Sequence, residues 1–261
     1  LLDIPGKTPN SITEDAVKKL IRSDPPALMH KNKANLIKVG NIRDDFNKLA
    51  NCDLIIEAVV ERLDIKKDLY NRINNIVNSK CVITSNTSTI PIKLLIEDMP
   101  QSFRERFAIT HYFNPVRFMR LLELVRGEHT KSEIIKKLAD YNDRILGKGV
   151  VACNDTPGFL GNRVGVYALQ VGMDEAYKLN LTVEEADSLM GRPMGIPKTG
   201  IFGLYDLIGI DLMSDVVDTL GTILPNNDDF HKVGASNIPT AELIKKMINS
   251  GFTGNKGKGG F

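Results

Sequence analysis

Between residues 53 and 153, short and continuously apolar runs alternate with stretches whose apolar residues recur at helical spacing. The runs are DLIIEAVV, CVITSNTS, RFAITHYF, RLLELVRG and KGVVACN; the stretches between them include DIKKDLYNRINNIVNS, PIKLLIED and KSEIIKKLADYNDRILG. Strands apolar on both faces and separated by helices imply a parallel sheet covered on each side, so a doubly wound α/β fold is expected. Upstream, LLDIP reads as the end of a buried strand stopped at Asp3 and Pro5. Ser11 and Glu14 stand in capping-box spacing and predict a helix from Thr13. A short strand is expected around Leu36 to Val39 and a short amphipathic helix over IRDDFNKLANC.

Past NDTPG the period changes. FLGNRVGVYALQVGMDEAYKLN, TVEEADSLMG, GLYDLIGIDLMSDVVDTLG and TAELIKKMINSG all carry apolar residues at helical spacing, with no strand between them. Two domains are therefore expected, an α/β domain over 1–153 and an all-helical one over 154–261, the latter ending in the Gly- and Lys-rich, irregular tail GFTGNKGKGGF.

Composition changes this picture little. The 261 residues are 42% hydrophobic and 25% charged, as expected of a chain with a true core. The formal net charge is +2, which provides no global field for nucleic acid or an acidic membrane, and neither is expected as a partner. Cys52, Cys81 and Cys153 lie far apart, outside any disulfide or metal spacing, so a reducing compartment and no metal are expected. No apolar run approaches the ~20 residues that span a bilayer, and the first residues lack a signal-peptide pattern. A soluble, cytoplasmic protein is expected.

Ligands of open α/β sheets sit beyond the carboxyl ends of the strands, so the chemistry is sought there. Asp3 ends its strand where a dinucleotide fold places an acid for the ribose hydroxyls, although a turn aspartate looks the same. Glu61 and Lys66 follow the next strong strand; Lys66 could meet a cofactor oxygen, or both could be solvated charges at a helix start. SNTST closes the following strand with small donors and acceptors, a choice that turn geometry alone also favours.

His111 ends RFAITHYF, and an imidazole with a pKa of about 6.5 suits proton transfer near neutrality. Glu123 sits among apolar neighbours in RLLELV, where a carboxylate needs a partner. If FNPVRFM folds the chain back, Glu123 meets His111, holds one ring nitrogen and leaves the other as a base. Asn162, in TPGFLGNR, opens the second domain and is equally readable as a helix-terminus residue. Gly147 and Gly149 read as a helix stop, and His30, His129 and His231 lack partners and receive no role.

EAVVE, SNTST, HYFNPVRFMRLLELV and DTPGFLGNR, in this order and spacing, resemble the NAD-dependent 3-hydroxyacyl-CoA dehydrogenases of fatty acid β-oxidation. RPMGIPKTGIFGLYDLIGID and GNKGKGGF further resemble bacterial multifunctional fatty-oxidation proteins, in which such a dehydrogenase is joined to an enoyl-CoA hydratase part. The resemblance implies a Rossmann-type domain, NAD as cofactor and an acyl-CoA substrate, while the long apolar faces of the helical second domain suggest a homodimer. It makes His111 the base, Glu123 its support, and Ser88 and Asn162 the polar residues near the reacting oxygen and thioester. It assigns Asp3, Val59, Val60, Glu61, Lys66, Asn86, Ser88 and Asn114 to the cofactor, with Lys256 in the tail as a further contact. A short-chain 3-hydroxybutyryl-CoA dehydrogenase and a non-catalytic protein on the same fold are the alternatives.

The chain departs from the family pattern in two places. The first strand and GxGxxG turn expected ahead of the ribose acid are not among these residues, so an exposed apolar strand edge and weak NAD binding by residues 1–261 are expected. RSDPPALMHKNK stands where the family carries a more continuous helical hairpin that helps to hold CoA. Lys18, Lys19, Lys31 and Lys33 read as a solvated basic face, with phosphate contacts as the alternative.

Overall fold

The computed structural model describes residues 1–196, 198–233 and 239–261. The chain divides into two units, Leu1–Phe159 and Leu160–Phe261, a few residues past the position at which the helical period takes over. In the first unit, β1 (Leu2–Asp3), α1 (Ser11–Arg22), a 3-10 turn (Lys31–Leu36), β2 (Gly40–Asn41) and a second 3-10 turn (Phe46–Asn51) precede the regular part. There follow β3 (Leu54–Glu57), α2 (Leu63–Asn74), β4 (Val82–Ser85), α3 (Ile92–Ile96) and α4 (Gln101–Arg104). The unit ends with β5 (Phe107–Tyr112), β6 (Leu121–Arg126), α5 (Ser132–Asp140), which runs on into a π turn (Tyr141–Ile145), and β7 (Gly149–Cys153).

The main sheet has the order β3-β4-β5-β6-β7 and is parallel except between β5 and β6. Residues 113–120 are too few for a crossover helix, so β6 must return antiparallel. The continuous apolar runs have the reason expected of them, because both faces of the sheet are covered. Phe107 and Ile109 point into a core with Tyr70, Ile83, Leu95 and Phe103, while Ala108, between them, faces Leu124, Ile134 and Leu138. The rings of Tyr70, Phe103 and Phe107 pack with centroids 5.2–6.0 Å apart.

The start of the chain departs from its pattern. Helix α1 begins at Ser11 without a side-chain cap. Ser11 Oγ instead donates to Thr8 O and accepts from Thr8 N. The strand expected near Leu36 to Val39 forms at Gly40 and Asn41, parallel to β1. It stops there because Asn41 Oδ1 accepts from the backbone of Arg43 and Asp44 and turns the chain. The segment expected as an amphipathic helix is the 3-10 turn Phe46–Asn51.

The β1-β2 pair forms a sheet of its own, separate from β3. A groove of about 380 Å³ lies beside it, lined by Leu2, Ile42, Phe46, Ile55, Ile56 and Leu69 among others. Ile56 on β3 is 46% exposed, which gives physical form to the expected apolar strand edge.

The second unit consists of α6 (Gly161–Lys178), α7 (Val183–Leu189), α8 (Phe202–Ile208), α9 (Ile210–Ile223) and α10 (Pro239–Asn249), with 3-10 turns at Arg192–Met194 and Asp229–Lys232. Met173, Tyr205, Ile210, Leu220, Phe230 and Ile244 form its core. The tail is more ordered than its composition suggests. Phe261 packs its ring on Phe202, 4.9 Å between centroids, and its backbone N donates to Asp206. Gly254, at φ +85°, passes so close to the Asp206 backbone that a Cβ would collide with it. No helix among the described residues is long and apolar enough to cross a membrane.

Candidate active site

The β5–β6 register sets His111 directly opposite Glu123. Residues opposed across antiparallel strands share a face, and His111 Nδ1 lies 2.6 Å from Glu123 Oε2. Glu123 is fully buried and His111 nearly so. Phe113 and Phe159 stand beside the imidazole, with centroids 4.5 and 5.9 Å away. Cys153 Sγ approaches Glu123 Oε1 at 3.9 Å. On the other ring nitrogen, Ser88 Oγ lies 3.0 Å from Nε2. With Nδ1–H donating to the carboxylate, Nε2 carries the lone pair and can accept a proton from a hydroxyl in its reach.

Ser88 belongs to the loop that leaves β4, and this loop is held mainly by charged side chains and hydroxyls. Glu61 Oε1 accepts from the Thr87 hydroxyl, from Ser88 N at 3.1 Å and from Thr89 Oγ1 at 3.3 Å. Its other oxygen lies 3.2 Å from Lys66 Nζ. Burial opposes ionisation of Glu61, but the Thr87 hydrogen bond and the Lys66 ammonium outweigh it and hold the carboxyl below the ordinary glutamate value. Asn86 Oδ1 accepts from Tyr112 N at 2.9 Å, which ties the loop to β5 beside His111.

The structure thus brings Glu61, Lys66, Asn86, Ser88, His111 and Glu123 into one bonded cluster. Lys66 differs from its expected presentation. It is 1% exposed, and its ammonium lies 2.7 Å from Glu57 as well as beside Glu61, so it faces protein carboxylates rather than solvent. Val59 and Val60 are exposed just past β3, and Val59 N donates to Glu57 Oε1 at 2.7 Å. Asp3 borders the groove beside β3, with its carboxylate accepting from Ile4 N at 2.7 Å. Asn114 is exposed in the turn after β5, ahead of a cis bond to Pro115. Asn162 stands in the first turn of α6, and Lys256 pairs with Asp211 at 2.7 Å; both belong to the second unit.

Two further groups shape the surroundings. Lys148 is buried, which pulls its ammonium below the usual lysine value, and it donates to Val116 O and to Met119 O at 2.8 Å, bracing the turn between β5 and β6. From that turn Arg117 reaches Pro26 O at 2.6 Å and Leu28 O at 3.1 Å, which fastens the segment between α1 and the first 3-10 turn. Glu57 was not singled out by sequence. Its signal was the one that exposed Glu123, an acid inside an apolar strand run.

An α/β sheet with a histidine–carboxylate pair at its strand ends, followed by a helical unit, defines a Rossmann-like α/β architecture with an appended helical domain. The model of the 3-hydroxyacyl-CoA dehydrogenase NAD-binding domain matches residues 1–156, and that of the 3-hydroxyacyl-CoA dehydrogenase C-terminal domain matches residues 158–261. The chain belongs to the 3-hydroxyacyl-CoA dehydrogenase family.

Among its relatives, a putative fatty acid oxidation complex trifunctional enzyme of Rickettsia prowazekii is 40% identical over 261 residues, covering all of this chain and 36% of that protein. A probable 3-hydroxyacyl-CoA dehydrogenase of Deinococcus radiodurans is 37% identical over 264 residues, covering all of this chain and 74% of the relative. The crystal structure of FadB2 from M. tuberculosis superposes with a TM-score of 0.80 at 26% identity, covering 97% of this chain and 86% of that one. The chain therefore spans little more than a third of the length of the Rickettsia relative.

Proposed function

We propose that this chain carries out the NAD-dependent oxidation of L-3-hydroxyacyl-CoA to 3-ketoacyl-CoA in fatty acid β-oxidation. The observation that supports this most is the line of contacts from Ser88 through His111 to Glu123 at the ends of β4, β5 and β6. His111 Nε2 takes the proton of the substrate 3-hydroxyl, while Nδ1 stays protonated against Glu123, whose charge supports the imidazolium that forms. Ser88 Oγ, already at Nε2, holds the substrate oxygen there. Asn162 is assigned to the substrate oxygen and thioester.

Bound NAD would supply the acceptor for the hydride of C3. The residues present fit part of that cofactor. The Asp3 carboxylate, the exposed residues Val59 and Val60, Glu61, Asn86, Ser88 and Asn114 would hold it along the strand ends, with Lys66 acting on Glu61 and Lys256 as a contact from the tail. The pyrophosphate turn of the fingerprint is not among the 261 residues.

The whole protein is assigned to the cytoplasm, as a homodimer joined to an enoyl-CoA hydratase part; the trifunctional name of the Rickettsia relative supports the last of these. In the intact protein, His111→Gln is expected to lower turnover by ~10²–10⁴-fold, with NAD affinity nearly unchanged, since that is what a general base supplies. Near-native turnover would overturn the assignment.

A further inference from the structure

A carboxylate with no part in the proposed reaction lies beneath the same strand ends. Glu57 closes β3 with its side chain fully buried, and four donors converge on it. Lys66 Nζ and Val59 N each lie 2.7 Å from Oε1, while Tyr70 OH at 2.5 Å and Ser85 Oγ at 2.6 Å reach Oε2. As a device for stability alone a buried ion pair is a poor one, because desolvating both charges offsets much of their attraction. What this one has is a direction.

Two arms leave Glu57 and end on the same loop. On one side Lys66 passes to Glu61, which accepts from Thr87, Ser88 N and Thr89. On the other, Ser85 Oγ donates to Glu57 and accepts from Thr87 N at 3.2 Å. Beneath the loop Asn86 N donates to the Glu57 carbonyl at 2.7 Å. Residues 85–89 are small and polar and have few apolar atoms with which to lock themselves in place. Ser88 Oγ nonetheless arrives 3.0 Å from His111 Nε2.

We propose that Glu57 is a positioning residue for His111: through Lys66 and Glu61, and through Ser85, it fixes the loop that sets Ser88 at the reacting nitrogen. This rests on the reading of His111 as the base. Misplacing a group by about an ångström is enough to lose about a hundredfold in rate, so a loop held by charge is a sensitive control point.

The test is a double-mutant cycle of Glu57→Gln and Ser88→Ala in the intact protein, read by kcat and by NMR titration of the His111 imidazole. Glu57→Gln alone is expected to lower kcat by roughly tenfold to a hundredfold and to move the His111 titration, and to do little more to either once Ser88 is alanine. Equal losses in both backgrounds, or an unmoved titration, would overturn the proposal. If Glu57→Gln fails to fold, Glu61→Gln interrupts the Lys66 arm nearer the surface and is read in the same cycle. Failure of the base assignment is recognised separately, by near-native turnover of His111→Gln; the titration still reports whether Glu57 acts on His111 through Ser88.

Discussion

Glu57 and Glu123 are both acids set in apolar strand runs, and each is buried beside a nitrogen base. An unpaired carboxylate there would be strongly unfavourable, so each position demands a partner. For Glu123 the partner could be read from the chain, because one turn separates it from His111. For Glu57 it could not. Lys66 lies on α2 and, read along the sequence, either meets a cofactor oxygen or stands as a solvated charge near the helix start; only the packing of α2 on the sheet turns its ammonium toward Glu57.

Glu61 shows the consequence for pH. Its folded-state value lies below the ordinary 4.5, so its contribution is fully present above that value and is lost as the pH falls through the lowered folded-state value. Urea unfolding followed downward from about pH 5 should therefore show a shallower loss of stability in Glu61→Gln than in the parent protein. Equal slopes would show that the Lys66 and Thr87 contacts do not favour the ionised form.

Two segments carry the same cap spacing, and they end differently. At Thr182 the backbone is extended (φ −70°, ψ 163°), its hydroxyl accepts from Glu185 N, and the Glu185 carboxylate returns to Thr182 N. At Ser11 the approach is different. Asn10 precedes the helix at φ −114°, ψ 8°, and the Ser11 hydroxyl is engaged by Thr8. A capping box needs an extended residue at the cap, which is a property of how the chain enters and not of spacing. Thr182→Ala is accordingly expected to destabilise the helical unit by about 0.5–2 kcal/mol, and Ser11→Ala the first unit by less, both read from thermal unfolding of the respective transitions. The hairpin was the more legible element, because residues 113–120 leave β6 no route except antiparallel return.

For the molecule as a whole, a groove lies beside the β1-β2 pair and the edge of β3 is unpaired, and no GxGxxG turn, the pyrophosphate cradle of a dinucleotide fold, occurs among these residues. A protein of residues 1–261 is expected to bind NAD weakly, as measured by calorimetry; tight binding would mean that another segment of this chain cradles the pyrophosphate.

The sequence by itself determined the α/β-then-helical order and the meeting of His111 with Glu123. These rest on periodicity, local turns and the demand of a buried acid for a base, all of which act over short stretches of chain. Only the tertiary structure decided that Lys66 faces Glu57 rather than solvent, that Ser88 meets Nε2, and that the glycine-rich tail locks onto α8. The geometry of those contacts is set by how whole elements pack, α2 on the sheet, the loop after β4 on β5 and the tail on α8, which no local pattern encodes.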